Sequence, residues 1–129
     1  MLTAFGTRCH EGRKSQQAGF VELTRNVRRT TPVFGTTGAI LWQQTAHTGV
    51  PKIKRHTKNS HANSTLATDG ERLIAFFGSE GVYAYDLKGK LLWQKDLGVL
   101  DAGYYVVPEA QWETGSSPVI HDDVVIIQA

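Results

Sequence analysis

The stretch Ala67–Leu97, ATDGERLIAFFGSEGVYAYDLKGKLLWQKDL, has the pattern of a four-stranded antiparallel sheet. A β-rich apolar run, Leu73–Phe77, leads into a glycine-flanked turn at residues 78–81. The next run, Val82–Tyr85, alternates between small apolar residues and tyrosines. Because side chains alternate along a strand, its two small residues and its two tyrosines are predicted on opposite faces of the sheet.

The second turn of this stretch is Asp86-Leu87-Lys88-Gly89. An aspartate side chain accepts a hydrogen bond from the backbone two residues on, and glycine accepts the positive φ of a short hairpin. The last predicted strand, Lys90–Lys95, carries Trp93. These features together predict an all-β fold.

Part of this pattern also occurs earlier in the chain. Residues 33–43, VFGTTGAILWQ, align without a gap on residues 84–94, AYDLKGKLLWQ, at an offset of 51 residues. The alignment places a glycine on a glycine and a tryptophan on a tryptophan: Gly38 on Gly89 and Trp42 on Trp93. The chain therefore contains an internal repeat.

A second piece recurs at nearly the same spacing, because residues 64–74 align on residues 116–126 at an offset of 52. A period near 50 residues with four short strands per unit is typical of β-propellers. A blade that is apolar on both faces can bury them only between neighbouring blades. We predict a partial β-propeller of about two and a half four-stranded antiparallel blades over residues 32–129. Residues 1–31 are predicted to be a poorly patterned N-terminal segment.

The repeats resemble the pyrroloquinoline-quinone-like (PQQ-like) β-propeller family, which includes quinoprotein dehydrogenases and outer-membrane assembly lipoproteins. The family repeat carries Ala-x-Asp, a Thr-Gly turn and a Trp that packs against the adjacent blade. The matching residues are Ala84, Asp86, Gly89, Lys90 and Trp93 in one copy and Thr37, Gly38 and Trp42 in the other.

The match to the family pattern has departures. Both turns are one residue shorter than the usual motif, the second turn lacks the Thr, and the first copy has Val33 and Gly35 for Ala and Asp. The repeat position of Trp42 and Trp93 favours packing between blades over stacking on a ligand. The resemblance covers residues 32–129.

The ends of the chain give few indications of location. No apolar run reaches the roughly 18 residues of a membrane helix, so no transmembrane segment is predicted. The first residues, MLTAFGTRCHEGRK, lack the pattern of a signal peptide. The single cysteine, Cys9, excludes an internal disulfide. The family resemblance nevertheless implies that the parent protein is periplasmic or exported.

The positive charge does not predict binding to nucleic acid. Residues 1–30 hold six Lys/Arg and two Glu, a net charge of +4, whereas the remainder holds eight Lys/Arg and ten Asp/Glu, a net charge of −2. The basic run 52–58 is short and has no interleaved aromatic residues for base stacking.

The predicted connections from the fourth strand of one blade to the first strand of the next, residues 45–63 and 97–115, lie on the same face of the propeller. The first connection is basic and the second is acidic and aromatic. Long loops on a rigid scaffold often carry binding. The candidate residues for a protein or small-molecule ligand are His47, Lys54, Arg55, His56, His61, Asp101, Tyr104, Tyr105 and Trp112. The alternative is that the two connections pair their charges with each other.

No convincing catalytic or metal-binding set is found in the sequence. His56 and His61 are further apart than an i, i+4 helical pair, and no acid lies close to them. Asp101 lacks the partner carboxylate that acid–base catalysis by carboxyl pairs requires. Cys9-His10 is an isolated pair in a poorly patterned segment. No metal site is therefore predicted.

Two functional hypotheses follow. The first is a non-catalytic propeller segment that acts as a scaffold or binding module, with the remaining blades of a longer parent chain as its partners. The second, implied only by the resemblance, is part of a PQQ-dependent quinoprotein oxidoreductase that holds the quinone and calcium. The paired adjacent cysteines of many such enzymes are absent from this chain. Because the last residues, 124–129, form an apolar strand without a cap, we expect a fragment that self-associates.

Overall fold

A computed structural model of the chain describes residues 8–10, 27–35, 37–53, 62–101 and 114–128. Within these ranges the protein consists of small antiparallel sheets and has no α-helix. The predicted all-β fold class is confirmed. None of the described residues belongs to a helix long and apolar enough to cross a membrane. The described strands do not form a closed sheet, and the propeller stays a prediction.

The strands form three sheets. The first sheet has the order β1-β2-β3, with β1 at Arg8–His10, β2 at Val27–Phe34 and β3 at Ile40–Gly49. The second sheet has the order β4-β5-β6-β7, with β4 at Ala67–Thr68, β5 at Arg72–Phe76, β6 at Val82–Asp86 and β7 at Leu91–Lys95. The third sheet pairs β8 at Val119–His121 with β9 at Val124–Ile126.

The second sheet lies within Ala67–Leu97, where the four-stranded antiparallel sheet is predicted. The first sheet differs from the prediction at both ends. The segment 1–31, predicted to be poorly patterned, holds β1 and the first five residues of β2. β3 continues to Gly49, into the predicted connection 45–63. The extra length arises from pairing between β2 and β3, in which Val27 lies opposite Gly49, and such pairing outweighs weak local propensity.

The second sheet is covered on both faces, because its side chains alternate between two apolar clusters. Leu73, Ala75 and both tyrosines of β6 pack with Val33 and Trp42 of the first sheet. The opposite face, with Ile74, Phe76, Val82 and Ala84, packs with Ile120 and Val125 of the third sheet and with Ile127, which follows β9. The alternation predicted for β6 therefore matches the structure, and the core consists of two layers between three sheets.

The internal repeat is also present in the backbone. The turns of hairpins β2–β3 and β6–β7 have the same two hydrogen bonds at an offset of 51: Gly35 N to Ala39 O at 2.8 Å and Gly38 N to Gly35 O at 2.9 Å, and Asp86 N to Lys90 O at 2.9 Å and Gly89 N to Asp86 O at 3.0 Å. Their glycines share a positive φ of 82° and 86°. The Asp86 carboxylate also accepts hydrogen bonds from the backbone of Lys88 and Lys90, which rigidifies the second turn.

Trp42 joins the first sheet to the second. Its indole Nε1 donates a hydrogen bond to the Leu87 carbonyl at 2.9 Å, and its ring lies 5.8 Å from the Tyr85 ring. A Cβ on Gly89 would lie only 2.7 Å from Trp42 Cδ2, so the indole packs directly on the glycine. The aligned residue Trp93 is 40% exposed, and its packing between sheets stays a prediction.

We expect Gly89→Ala to lower the free energy of unfolding by about 2–5 kcal/mol. The positive φ contributes about 1–2 kcal/mol of strain, and the clash with Trp42 contributes about 1–3 kcal/mol more. Gly70→Ala is the matched control, since Gly70 has φ +92° but no neighbour within 4 Å of an added Cβ. Denaturant unfolding of both variants checks this. Equal losses would show that Trp42 does not rest on Gly89.

Candidate functional site

Two long connections meet the second sheet at the same end: residues 50–66 lead from β3 of the first sheet into β4, and residues 96–118 lead from β7 to β8 of the third sheet. Their described starting segments are in contact. Lys52 Nζ donates to both carboxylate oxygens of Asp96 at 2.7 Å. Further along the second connection, Leu100 N donates to the Ser79 hydroxyl at 2.9 Å. The start of the second connection is thereby fixed to the turn between β5 and β6.

The far ends of the two connections are also in contact. The Ser64 hydroxyl donates to the Ser116 carbonyl at 2.7 Å, and Thr65 N donates to the Ser117 hydroxyl at 2.9 Å. Each of these pairs joins residues that occupy the same place in the repeat, 52 positions apart. The two connections therefore start and end next to each other, and each is held at both ends.

A buried carboxylate, that of Glu80, contacts the start of the first connection. Glu80 ends the short 3-10 turn Gly78–Glu80 between β5 and β6, and its side chain is only 2% exposed. Its Oε1 accepts a hydrogen bond from Lys52 N at 2.9 Å and lies 3.5 Å from Arg29 Nη2. Its Oε2 lies 3.3 Å from His47 Nε2. One carboxylate thus contacts β2, β3 and the first connection.

The Arg29 side chain is 1% exposed, and none of its three nitrogens has a hydrogen-bond partner in the part of the chain that the structure describes. Glu80 Oε2 and His47 Nε2 are likewise without hydrogen-bond partners there. The guanidinium is packed on all sides, so neither solvent nor ligand reaches it in this conformation. We interpret Arg29 and Glu80 as an ion pair, with His47 beside the carboxylate, and this cluster fixes the first sheet to the second. Burial of a paired charge imposes orientation more than net stability.

Titration properties follow from these contacts. The hydrogen bond from Lys52 lowers the pKa of Asp96, so this carboxylate stays ionised and keeps its pairing. A lowered pKa means that the contact stabilises the fold above the ordinary carboxyl range and is lost as the pH falls through the lowered value. Burial raises the pKa of Tyr83, whose hydroxyl donates to the Glu80 carbonyl at 3.0 Å.

The structure places two of the predicted ligand-binding residues. His47 lies on β3 and faces Glu80, and Asp101 is an exposed residue of the second connection. The other predicted residues lie outside the described ranges: Lys54, Arg55, His56, His61, Tyr104, Tyr105 and Trp112. Sequence reasoning missed Arg29 and Glu80, because no motif or spacing links an arginine in a poorly patterned segment to a glutamate in a turn.

The residues around Glu80 do not fit calcium, which the family resemblance implies under the enzyme hypothesis. Calcium takes six to eight oxygen ligands, whereas the Glu80 carboxylate faces Arg29, His47 and the backbone of Lys52. The Arg29 guanidinium lies 3.5 Å from the Glu80 carboxylate and would repel a divalent cation bound there. Elsewhere in the described ranges, no group of three His, Cys, Asp or Glu side chains is close enough to bind a metal.

Comparison of the chain with protein-family models, with curated proteins and with solved structures gives no match. The resemblance to the PQQ-like family therefore stays a prediction from the sequence.

We expect Glu80→Ala to lower the free energy of unfolding by about 3–5 kcal/mol, because it leaves Arg29 buried without its counter-charge. The double variant Arg29→Met/Glu80→Ala should recover part of this loss, since it removes both charges. Glu71→Ala, at an exposed position, is the control and should change the stability by less than about 0.5 kcal/mol. Denaturant unfolding measures all three. A Glu80→Ala loss no larger than the control would contradict the cluster.

Proposed function

We propose that this chain is a β-propeller-type repeat module that acts as a non-catalytic scaffold or binding module, with its binding site on the long connections. The proposal joins two parts, the arrangement of the sheets and the position of the connections. Each part is supported by different contacts.

The propeller arrangement is supported by contacts between repeat-equivalent residues. Ser64 contacts Ser116, which is its own equivalent in the next repeat, and both residues lie just before a first strand. Equivalent residues of successive units touch only where the units pass close to their common axis. The innermost strands of a propeller have this property. The hydrogen bond from Trp42 to Leu87 is consistent with the same arrangement, because it joins the outer strand of one unit to the outer turn of the next.

The single observation that carries the binding site is that both connections are held side by side at their described ends. Lys52 is paired with Asp96 at the start, and Ser64 is paired with Ser116 at the end. Long loops that join the strands of a rigid scaffold are where binding residues commonly lie. The adjacent described ends therefore support a binding site on these connections.

The charges of the connections indicate the class of ligand. Residues 52–61 contain Lys52, Lys54, Arg55 and Lys58 together with two histidines and no acid. Residues 101–113 add two tyrosines and a tryptophan beside three acids. Guanidinium and ammonium groups next to aromatic rings suit a molecule with an acidic group and a flat apolar part. We therefore expect an aromatic or extended carboxylate, or a phosphate ester, as the ligand.

Thermal unfolding with defined probes tests this function. The probes are benzoate, citrate, inorganic phosphate, and PQQ with calcium. An acidic probe that binds the native state should raise Tm progressively with its concentration. The triple variant Lys54→Gln/Arg55→Gln/His56→Gln should lose this shift. The matched control Lys88→Gln/Lys90→Gln, in the exposed turn at the opposite end of the second sheet, should keep it.

Three results would contradict the proposal. One is that no probe raises Tm, which would favour connections that pair their charges with each other. Another is equal loss of the shift in the control variant, which would indicate a non-specific charge effect. The third is dye-linked alcohol oxidation in the presence of PQQ and calcium, which would replace the binding module by the oxidoreductase.

A further inference from the structure

The packing of Trp42 on the Gly89 turn has a repeat equivalent on the same chain that is not formed. Trp93 occupies the repeat position of Trp42 and the same register, since Val33 lies opposite Trp42 and Ala84 lies opposite Trp93. Its side chain is nevertheless 40% exposed, and Leu92 beside it is also exposed. Among the residues that the structure describes, no glycine turn packs against this indole of the second sheet.

The first sheet presents the complementary half. The turn at Gly38 has the same hydrogen bonds and nearly the same φ as the turn at Gly89, on which Trp42 packs. Gly38 is exposed, and no described atom lies within 4 Å of the position of an added Cβ. This turn therefore has the shape that receives an indole, and it is uncovered.

The strand orders of the outer sheets are complementary as well. β8 and β9 correspond to β4 and β5, because Val119 pairs with Ile126 as Ala67 pairs with Ile74. β2 and β3 correspond to β6 and β7. In the described ranges the third sheet therefore holds the first half of a four-stranded unit, and the first sheet holds the second half. β1 pairs with residues 28–30 of β2, whereas residues 31–34 of β2 are the ones that correspond to residues 82–85 of β6, which pair with β5.

We propose that a second copy of this chain docks head to tail, with β9 of one copy pairing with residues 31–34 of β2 in the other, next to the residues that pair with β1, and Trp93 packing on the Gly38 turn. The new sheet would have the order β8-β9-β2-β3, which repeats the order β4-β5-β6-β7. The pairing of Ile74 with Ala84 then predicts that Ile126 lies opposite Val33 of the second copy.

The composition of β9 favours this pairing. β9 and the residue after it read Val-Val-Ile-Ile, and β-branched residues have high strand propensity. β1, Arg8–His10, pairs only with residues 28–30 of β2. Pairing of β9 with β2 also removes the exposed edge of an apolar strand, which otherwise promotes aggregation.

The partner that we assign is another copy, because the two described halves are complementary and cannot meet within one copy of these sheets. The first and third sheets pack on opposite faces of the second sheet, and stacked sheets lie about 10 Å apart. Trp42 already packs on the turn at Gly89, so the exposed turn at Gly38 is the one available to Trp93 of a second copy. Such a contact is heterologous and closes into a ring or extends into a filament. Strands β2–β9 make two four-stranded units per copy, so a ring of about four to eight blades takes about two to four copies.

Sedimentation velocity over a wide range of protein concentration tests the docking. Trp93→Ala removes the indole, and we expect association to weaken by about 30-fold or more, as for other central interface tryptophans. Gly38→Asn should have a similar effect, because Asn tolerates the positive φ but its Cβ lies where the indole packs. Gly70→Asn is the matched control, with φ +92° in a turn outside the proposed interface, and should associate like the wild type.

Mixing the two variants separates lost contact from lost folding. Trp93→Ala retains an intact Gly38 turn, and Gly38→Asn retains Trp93, so the mixture should regain a two-chain species with one joint. A wild-type chain that is monomeric at all concentrations would overturn the proposal. Association unaffected by either substitution, or a mixture of the variants that stays monomeric, would overturn it as well.

Disulfide cross-linking tests the strand register in the full chain. In a Cys9→Ser background, a chain with Val33→Cys is mixed with a chain with Ile126→Cys and oxidised. We expect a cross-linked pair, because the proposed register places these residues opposite each other. Val119→Cys in place of Ile126→Cys is the control, since Val119 pairs with Ile126 on the far side of β9 from the docked β2. Equal yields from the two mixtures would overturn the register and with it the pairing of β9 with β2.

Discussion

The contact on which the arrangement depends is the indole of Trp42 against the turn that contains Gly89. A hydrogen bond to the Leu87 carbonyl fixes the position of the ring, and the absence of a Cβ at Gly89 lets the ring approach the backbone. Two further contacts join the same sheets: the apolar layer around Val33 and the Arg29–Glu80 ion pair. Together they fix the first sheet on the second, and they provide the template from which the proposed contact of Trp93 with a second copy follows.

Much of the fold could be predicted because its determinants are local. The alternation in Val82–Tyr85 decides which side chains face each neighbouring sheet, and the turn glycines decide where the hairpins reverse. The offsets of 51 and 52 residues reappear as equal turn geometry and equal strand register. Sequence and structure agree in these places because each feature depends on residues close together in the chain.

The rest depends on contacts between distant residues, which single-sequence patterns do not contain. The part of β2 before Pro32 pairs with β3, but its sequence has no alternating pattern that would predict a strand. Glu80 contacts Arg29, which is 51 positions away, and no motif links the two residues. The predicted ligand-binding residues were chosen for charge and ring type within long connections, and charge does not specify where a side chain points. What the structure adds is the fixed base of these connections at Lys52–Asp96 and Ser64–Ser116.

The contact of Trp42 with the Gly89 turn is tested most directly by proton NMR of the purified chain. An aromatic ring stacked on Gly89 should move its Hα resonances upfield relative to those of Gly70, which has a similar φ and no neighbour within 4 Å. We predict this upfield displacement, a nuclear Overhauser contact between Trp42 Hε1 and the turn, and loss of both in Trp42→Ala. Hα resonances of Gly89 that coincide with those of Gly70 in the wild-type chain would contradict the seam between the first two sheets.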